Sequence, residues 1–453
     1  MNASNKRIDL MANGPVGKAL FQLSIPAIAG MVIMAVYNVV DTFFVSLLRD
    51  TTAVAATGIV FPMFQLIGAI GLTFGMGAAS VVSRRLGERN YREANEAGAT
   101  AFYSALGMGL LFSVSGGIFI EPLLTLFGAT ESILEAASLY GRIIIGGSVF
   151  QVMNMTLNNL IRSEGAALHS STGQIMGAVL NIILDPIFIF VFDMGITGAA
   201  VATVTAQGVA FLYLLSFYLR NKGTVYPLRV SFFRPDRNTY KQLMALGVPT
   251  FVRQILGSIS FALLNNAAGL YGGDSAIAAI SITFRLFMLL LMALMGLAQG
   301  MQPLAGYNYG AKAFRRLKQT FKLVFINSFS ICFIAGLLGF MFAPQIMNVF
   351  TPQNPEVINM GSFYMRVTSA TLVPVGLAIM FGGIFQALGD GRSAMILAAG
   401  QQGIFLIPLI LILPKFLGIT GVFIAQPAGF AMAFFIGALL FLRLIKRLRQ
   451  EEG

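Results

Sequence analysis

Long apolar stretches recur from one end of this chain to the other, and no other feature restricts its fold so strongly. The runs are 18 to 28 residues long. As helices, each is enough to cross a hydrocarbon core of roughly 30 Å. Inside lipid a backbone must satisfy its own hydrogen bonds, so the runs are read as membrane helices. Twelve spans follow, at about 20–48, 53–83, 95–120, 134–160, 168–192, 197–219, 243–271, 276–306, 318–342, 357–388, 393–414 and 420–442. The longest must tilt, kink or project from the bilayer. Composition agrees: of 453 residues, 57% are hydrophobic and only 11% charged, where a soluble domain has about a quarter charged. The 49 glycines suit close helix packing in lipid.

A net charge of +12 would fit nucleic acid, but the positions of the charges argue against that partner. They lie in the connections. Twenty-four Lys and Arg fall on one side of the alternating spans, among them Lys6, Arg7, Arg84, Arg85, Arg89, Arg92, Arg162, Lys222, Arg392 and Arg447. The other side has only Arg49 and Lys415. This asymmetry predicts that both termini are cytoplasmic, in the cytoplasmic (inner) membrane of a prokaryote. The start, MNASNKRIDLMANGPVGK, is polar and the first apolar run is of full length, so no cleaved signal peptide is expected. The single cysteine, Cys332, excludes an internal disulfide. His169 sits at a helix end and is expected to be solvated.

The chain is also a duplication. Displaced by 223 residues, Pro26 falls on Pro249, AVAATGIVF (53–61) on AIAAISITF (276–284), LGERNYREA (86–94) on YGAKAFRRL (309–317), and GITGAAVA (195–202) on GITGVFIA (418–425). Six spans per repeat is an even number, so the repeats share one orientation. Their pseudo-twofold axis then runs along the membrane normal, as in transporters that rock two halves about a central site. The expected organisation is an all-α integral membrane protein with an N-terminal six-helix lobe (1–219), a cytoplasmic linker (220–242) and a C-terminal six-helix lobe (243–453).

Features present in both halves read as architectural; features of one half are better functional candidates. Asp41 faces Leu264 in the repeat alignment, and Asp185 has no acidic counterpart. A charge in a span costs at least about 2.5–3.5 kcal/mol, so it is functional or paired. Both aspartates lie roughly 10 Å below the outer ends of their spans at 1.5 Å per residue. Thr203 lies at similar depth. Tyr37 and Asn181 each precede an aspartate by one turn and share its helix face; Asn154 and Asn158 form another such pair on span four. Two close carboxylates in a low-dielectric site cannot both ionise cheaply, so one is expected to hold a proton and act as a carrier. Carboxylate, amide and hydroxyl oxygens coordinate Na⁺ equally well. The structural alternative is pairing with Arg142. However, Arg142 has a repeat counterpart in Arg366 where no acid matches. Arg253 and Arg285 lie inside spans seven and eight without counterparts; they either cap carbonyls or line a cavity that attracts an anionic group. Met288, Met292 and Met295 make a stripe that suits core packing or a permissive pocket. Pro26 and Pro186 invite bends.

LSIPAIAG, VYNVVDTFFV, SRRLGERN, LNIILDPIFIF, GITGAAVAT and PLAGYNYGAK together resemble the multidrug and toxic compound extrusion (MATE) transporters, of the DinF-like and MepA-like branch. The resemblance implies the MATE/MOP fold and export driven by H⁺ or Na⁺. In DinF-like members it implies a cation site at Asp41, Asn181, Asp185 and Thr203. Other branches place essential acids in the C-terminal lobe, and this sequence has none within spans seven to twelve. The expected function is cation-coupled multidrug efflux by alternating access, with a substrate cavity lined by Tyr37, Asn154, Asn158, Met288, Met292 and Arg285. No cofactor is expected beyond the coupling ion. The expected partners are the lipid bilayer and small amphiphilic substrates, and the protein is expected to be a monomer. The competing reading is a flippase for an anionic lipid-linked saccharide, motivated by Arg253 and Arg285. An enzyme is not expected, because the chain has neither an Asp-rich diphosphate motif nor a His cluster.

Overall fold

The computed structural model describes residues 3–48, 50–220 and 224–452; Arg49 and Lys222 lie outside the described residues. Span one is Val16–Ser46, span two Thr51–Gly87 and span three Tyr91–Ile118. Span four is a bent pair, Glu131–Gly146 and Ser148–Ser163, meeting at 43°. Span five runs over Ala167–Pro186 and continues as a π turn, Ile187–Val191; span six is Gly195–Arg220. Spans seven and eight form Arg237–Gly310, broken only at Gly273, whose φ of 62° and ψ of −160° leave the helical region. Span nine is Phe314–Met341. Span ten is the bent pair Pro355–Ala370 and Leu372–Leu388, meeting at 49°. Span eleven is Gly391–Ala399, a π turn Gly400–Ile404, and Leu406–Leu417; span twelve is Ile419–Glu452. Among the described residues nine helices, or eleven when each bent pair is taken as one span, are long and apolar enough to cross a membrane, and the longest of them is broken at Gly273.

Side chains that satisfy free backbone donors fix several starts. Asp50 accepts from the amide of Thr52, Asn90 from Glu93, Asp236 from Thr239, Asn354 from Val357 and Asp390 from Ser393. The duplication recurs in detail. The bends of spans four and ten fall at Gly147 and Thr371, and the short helices Ile120–Leu126 and Ala343–Phe350 occupy matching places. Arg89 and Lys312, related by the repeat, both adopt positive φ. One element was not expected: the polar start folds as a helix, Ala3–Ala12, with Met11 fully buried.

Both described ends lie on one face, called here the terminal face. Arg316 donates to the carbonyls of Met11 (3.1 Å) and Gly14 (2.7 Å), and Lys318 pairs with Glu452 at 2.5 Å. On this face the two halves press together. A Cβ on Gly87 would fall 2.0 Å from the Tyr307 carbonyl, and one on Gly310 would fall 2.0 Å from the Arg84 carbonyl. These are one contact and its repeat image. Higher on the seam, Gly296 and Gly300 of span eight lie against the backbones of Ile28 and Ser24 of span one. Toward the opposite face the same stripes come apart. On span one the stripe Ser24, Ile28 and Met31 continues through Asn38, Val39 and Thr42, and Val39 is 61% exposed. On span eight the stripe Gln299, Gly296 and Met292 continues to an exposed Arg285. The halves therefore enclose a cleft that is shut at the terminal face and open at the other.

Candidate functional site

Helical spacing sets the first cluster. On span one Gly30, Tyr37 and Asp41 share the face turned to span five, where Gly30 lies against Ser171 and Gln174. Span five brings Asn181 and Asp185 to that face, and span six adds Thr203. Asp185, Asn181 and Thr203 are buried, at 0, 2 and 5% exposure, and Asp41 is half-buried. The Asn181 amide donates to Asp185 Oδ1 (3.1 Å) and Thr203 Oγ1 (3.2 Å). The Asp41 carboxyl adjoins that of Asp185. Tyr37 lies against Thr203, and Tyr140 adds a hydroxyl within electrostatic reach of both carboxylates. Directly after Asp185, Pro186 withholds an amide and the helix widens into the π turn. Such turns are common at functional positions.

The donor count defines the chemistry. Asp41 Oδ1, Asp185 Oδ2 and Asn181 Oδ1 are buried acceptors with no donor among the described residues. Each such group costs about 1–3 kcal/mol, and more if charged. A proton shared by the carboxyls, or a small hard cation among these oxygens, satisfies them. Among the described residues no group of three His, Cys, Asp or Glu gathers. Arg142 is not the partner of this pair. It bonds Glu121 at 2.9 Å near the surface, while Arg366 donates to the Phe340 carbonyl and lies over its ring.

The other expected residues fall elsewhere. Asn154 donates to the Gln207 carbonyl at 2.9 Å, tying span four to span six. Asn158 turns to the terminal-face end of the cleft. There Arg162, counted from sequence among the loop charges, is 2% exposed in the last turn of span four. It donates to Asn158 Oδ1 (2.7 Å) and Ser170 Oγ (3.3 Å) and, across the seam, to Gln299 of span eight. Gln299 in turn donates to Met31 Sδ at 3.5 Å. This is a polar bridge between the halves at the cleft floor. Its sequence signal was the continuation of the stripe Asn154, Asn158 to Arg162.

The second half faces the cleft with different chemistry. Arg285, Met288 and Met292 lie along the open stripe of span eight. Arg253 lies on span seven between Thr250, bonded by Gln386 at 3.1 Å, and Gly257, which faces Gln402. Among the described residues no carboxylate forms an ion pair with Arg253 or Arg285. His169 is not a plain solvated residue: it stacks on Tyr213 at 4.5 Å.

A family model described as MatE matches residues 26–187 and again residues 249–412. The chain belongs to the MATE family. The two matches begin at Pro26 and Pro249, the repeat-related prolines. Among curated relatives, the multidrug export protein MepA of Staphylococcus aureus (strain N315) is 30% identical over 409 residues, covering 90% of this chain and 89% of the relative. MepA of Staphylococcus saprophyticus is 29% identical over 407 residues, with the same coverage of 90% and 89%. Among solved structures, a MATE protein in complex with MaL6 superposes with a TM-score of 0.92 at 28% identity, covering 98% of this chain and 99% of that one. A MOP superfamily transporter from Pyrococcus furiosus, described for the reverse polarity of its binding pocket, superposes with a TM-score of 0.90 at 28% identity and the same coverage, 98% and 99%. This MATE member is thus a multi-pass membrane transporter with relatives that export drugs.

Proposed function

We propose that this MATE transporter exports amphiphilic, often cationic, compounds in exchange for H⁺ or Na⁺, with the ion taken at Asp41, Asn181, Asp185 and Thr203. The observation that carries the reading is the set of three buried oxygens without donors, contributed by two spans of one half and adjoining an open cleft. The terminal face, rich in Lys and Arg, is the cytoplasmic one, in a prokaryotic inner membrane, and the cleft opens outward. One pH unit supplies about 1.4 kcal/mol, and 100 mV about 2.3 kcal/mol per charge. A single coupled ion therefore sustains roughly tenfold to several-hundredfold accumulation. The relatives named for multidrug export support the substrate class.

The test is dye export by proteoliposomes with pH and Na⁺ gradients imposed separately. Asp41→Asn and Asp185→Asn are each expected to abolish gradient-driven export. If both leave it unchanged, the coupling assignment fails. A second reading, flipping of an anionic lipid-linked saccharide, is favoured by Arg253 and Arg285, which lack acidic partners. Binding of a cationic dye against a lipid pyrophosphate separates the two.

A further inference from the structure

Away from the cleft, the terminal face holds a recess of about 760 Å³ across the seam between the halves. Arg84, at the end of span two, enters it from the first half. Arg392, in the first turn of span eleven, and Arg447, on span twelve, enter from the second. The Arg84 side chain crosses the seam so closely that a Cβ on Gly389 would fall 2.5 Å from its guanidinium carbon. The only acid in the lining is Asp390. Its two oxygens are spent on the Ser393 amide (3.1 Å) and hydroxyl (2.7 Å). Glu88, four residues after Arg84, bonds Arg85 at 2.6 Å. Arg447 uses Nε on Glu451 (3.0 Å) and extends Nη2 toward the Tyr309 hydroxyl (3.4 Å). Among the described residues no carboxylate pairs with Arg84 or Arg392. Three guanidinium groups thus converge with one carboxylate among them.

The repeat shows what normally fills such a place. Gly389 corresponds to Gly165. At Gly165 the equivalent space is taken by the N-terminal helix: a Cβ there would lie 3.2 Å from Met11 Cε and 3.6 Å from Arg7 Cβ. The repeat image of that helix, 226–235, does not cover Gly389. It also packs on the first half, where the Tyr226 hydroxyl donates to the Leu160 carbonyl (2.9 Å) and the Arg234 amide to Thr100 Oγ1 (3.0 Å). Segment 226–235 is thus engaged on the first half, and among the described residues the recess beside Gly389 stays open. The rest of its lining is apolar, from Leu388, Met395, Ile396 and Leu444. Ile396 is 47% exposed at the start of span eleven, where the lipid headgroups meet the chains.

We propose that this recess binds the phosphate of an anionic lipid from the adjacent leaflet, held between Arg84 of one half and Arg392 and Arg447 of the other. Basic pockets between spans on the cytoplasmic side recognise such headgroups, and the apolar wall accommodates the start of an acyl chain. Because the arginines come from both halves, the lipid ties the closed terminal face together. This site is separate from the cleft and independent of what is exported or which ion drives export.

The test uses the purified full chain, stripped of lipid in detergent and titrated with phosphatidylglycerol, phosphatidylcholine or inorganic phosphate, with bound lipid read by native mass spectrometry. Phosphatidylglycerol is expected to be retained over phosphatidylcholine. The double variant Arg392→Gln/Arg447→Gln is expected to weaken its retention about thirtyfold, at roughly fivefold per arginine. Arg443→Gln/Arg449→Gln, which removes equal charge from span twelve outside the recess, is expected to retain it. Millimolar inorganic phosphate is expected to leave the lipid bound. Equal loss in the control pair, equal retention of the two lipids, or full displacement by phosphate would each overturn the proposal. If the double variant does not fold, Arg392→Gln alone, whose side chain forms no ion pair among the described residues, carries the same prediction at roughly fivefold.

Discussion

Gly87 and Gly310 set how closely the halves meet, and replacing them with alanine should pry the terminal face open. Each new methyl would lie 2.0 Å from a carbonyl oxygen of the other half. Ordinary contact begins near 3.4 Å, so the seam must give by more than an ångström at two symmetric points. Overpacking of this kind costs about 1–3 kcal/mol per site. The cost applies only while the face is shut, since the methyls point into open space once the halves part. At 1.4 kcal/mol per tenfold, one substitution lowers the closed population roughly fivefold to a hundredfold, and the pair lowers it further. Spin labels at Arg92→Cys and Arg315→Cys, repeat-related exposed positions, report the separation in a Cys332→Ser background. The parent should give one short distance; Gly87→Ala/Gly310→Ala should shift weight to a longer one. Alanine also raises helix propensity by up to about 1 kcal/mol, so thermal stability alone is not the readout. Gly58→Ala, with open space around it, controls for that effect. An unchanged distance distribution in a folded double variant would refute the reasoning.

Two further outcomes follow from the cleft floor and the first connection beyond it. Arg162→Met removes a buried charge and its bonds together, whereas Gln299→Leu strands the guanidinium without its partner across the seam. Both break the bridge from one side, but Arg162→Met leaves only neutral groups unpaired while Gln299→Leu leaves a buried charge short of a partner, the costlier outcome. Gln299→Leu should therefore melt lower than Arg162→Met, while both lengthen the Arg92 to Arg315 distance. The reverse order of melting would mean that the bridge is not what holds Arg162 in place. Glu164, just past span four, is fully buried. It accepts from the Val225 amide at 3.0 Å and meets Arg7 at 3.6 Å. Burial pushes its carboxyl up to about 8. A raised carboxyl favours the protonated form in the fold, so its stabilising contribution is complete below the ordinary carboxylate range and is lost as pH rises through about 8. The parent should therefore melt higher at pH 5 than at pH 9, and Glu164→Gln should flatten that slope. A slope that survives the substitution would exclude Glu164 as its source.

What sequence made legible here followed from periodicity and from the duplication. The spans are apolar because lipid surrounds them, and that signal survives without neighbours. Asp41 and Asp185 stand out because their repeat images are not acidic, and the one-turn spacing links Asn181 to Asp185; the structure gathers these three with Thr203. Charge counting misleads at helix ends. Arg162 looks like a loop charge in sequence, yet its long side chain folds back under the lobe to reach Gln299, nearly 140 residues away. The helix Ala3–Ala12 carried no apolar stripe long enough to notice, because its order comes from burial of Met11 rather than from its own composition. The two π turns have no local signature beyond Pro186, and they do not occupy matching positions in the repeat.

The reciprocal contact of Gly87 with the Tyr307 carbonyl and Gly310 with the Arg84 carbonyl has the form of an isologous interface, in which one patch meets its own copy. Two separate six-helix subunits would associate through such a surface. In a homodimer each substitution there would be felt twice, and no residue could change without its image. Fusion into one chain removed that constraint. Ser83 and Gly306, which are repeat images, now oppose each other across the axis as different residues. The join between the halves is therefore the place where one side can acquire a lesion and the other can supply its compensation.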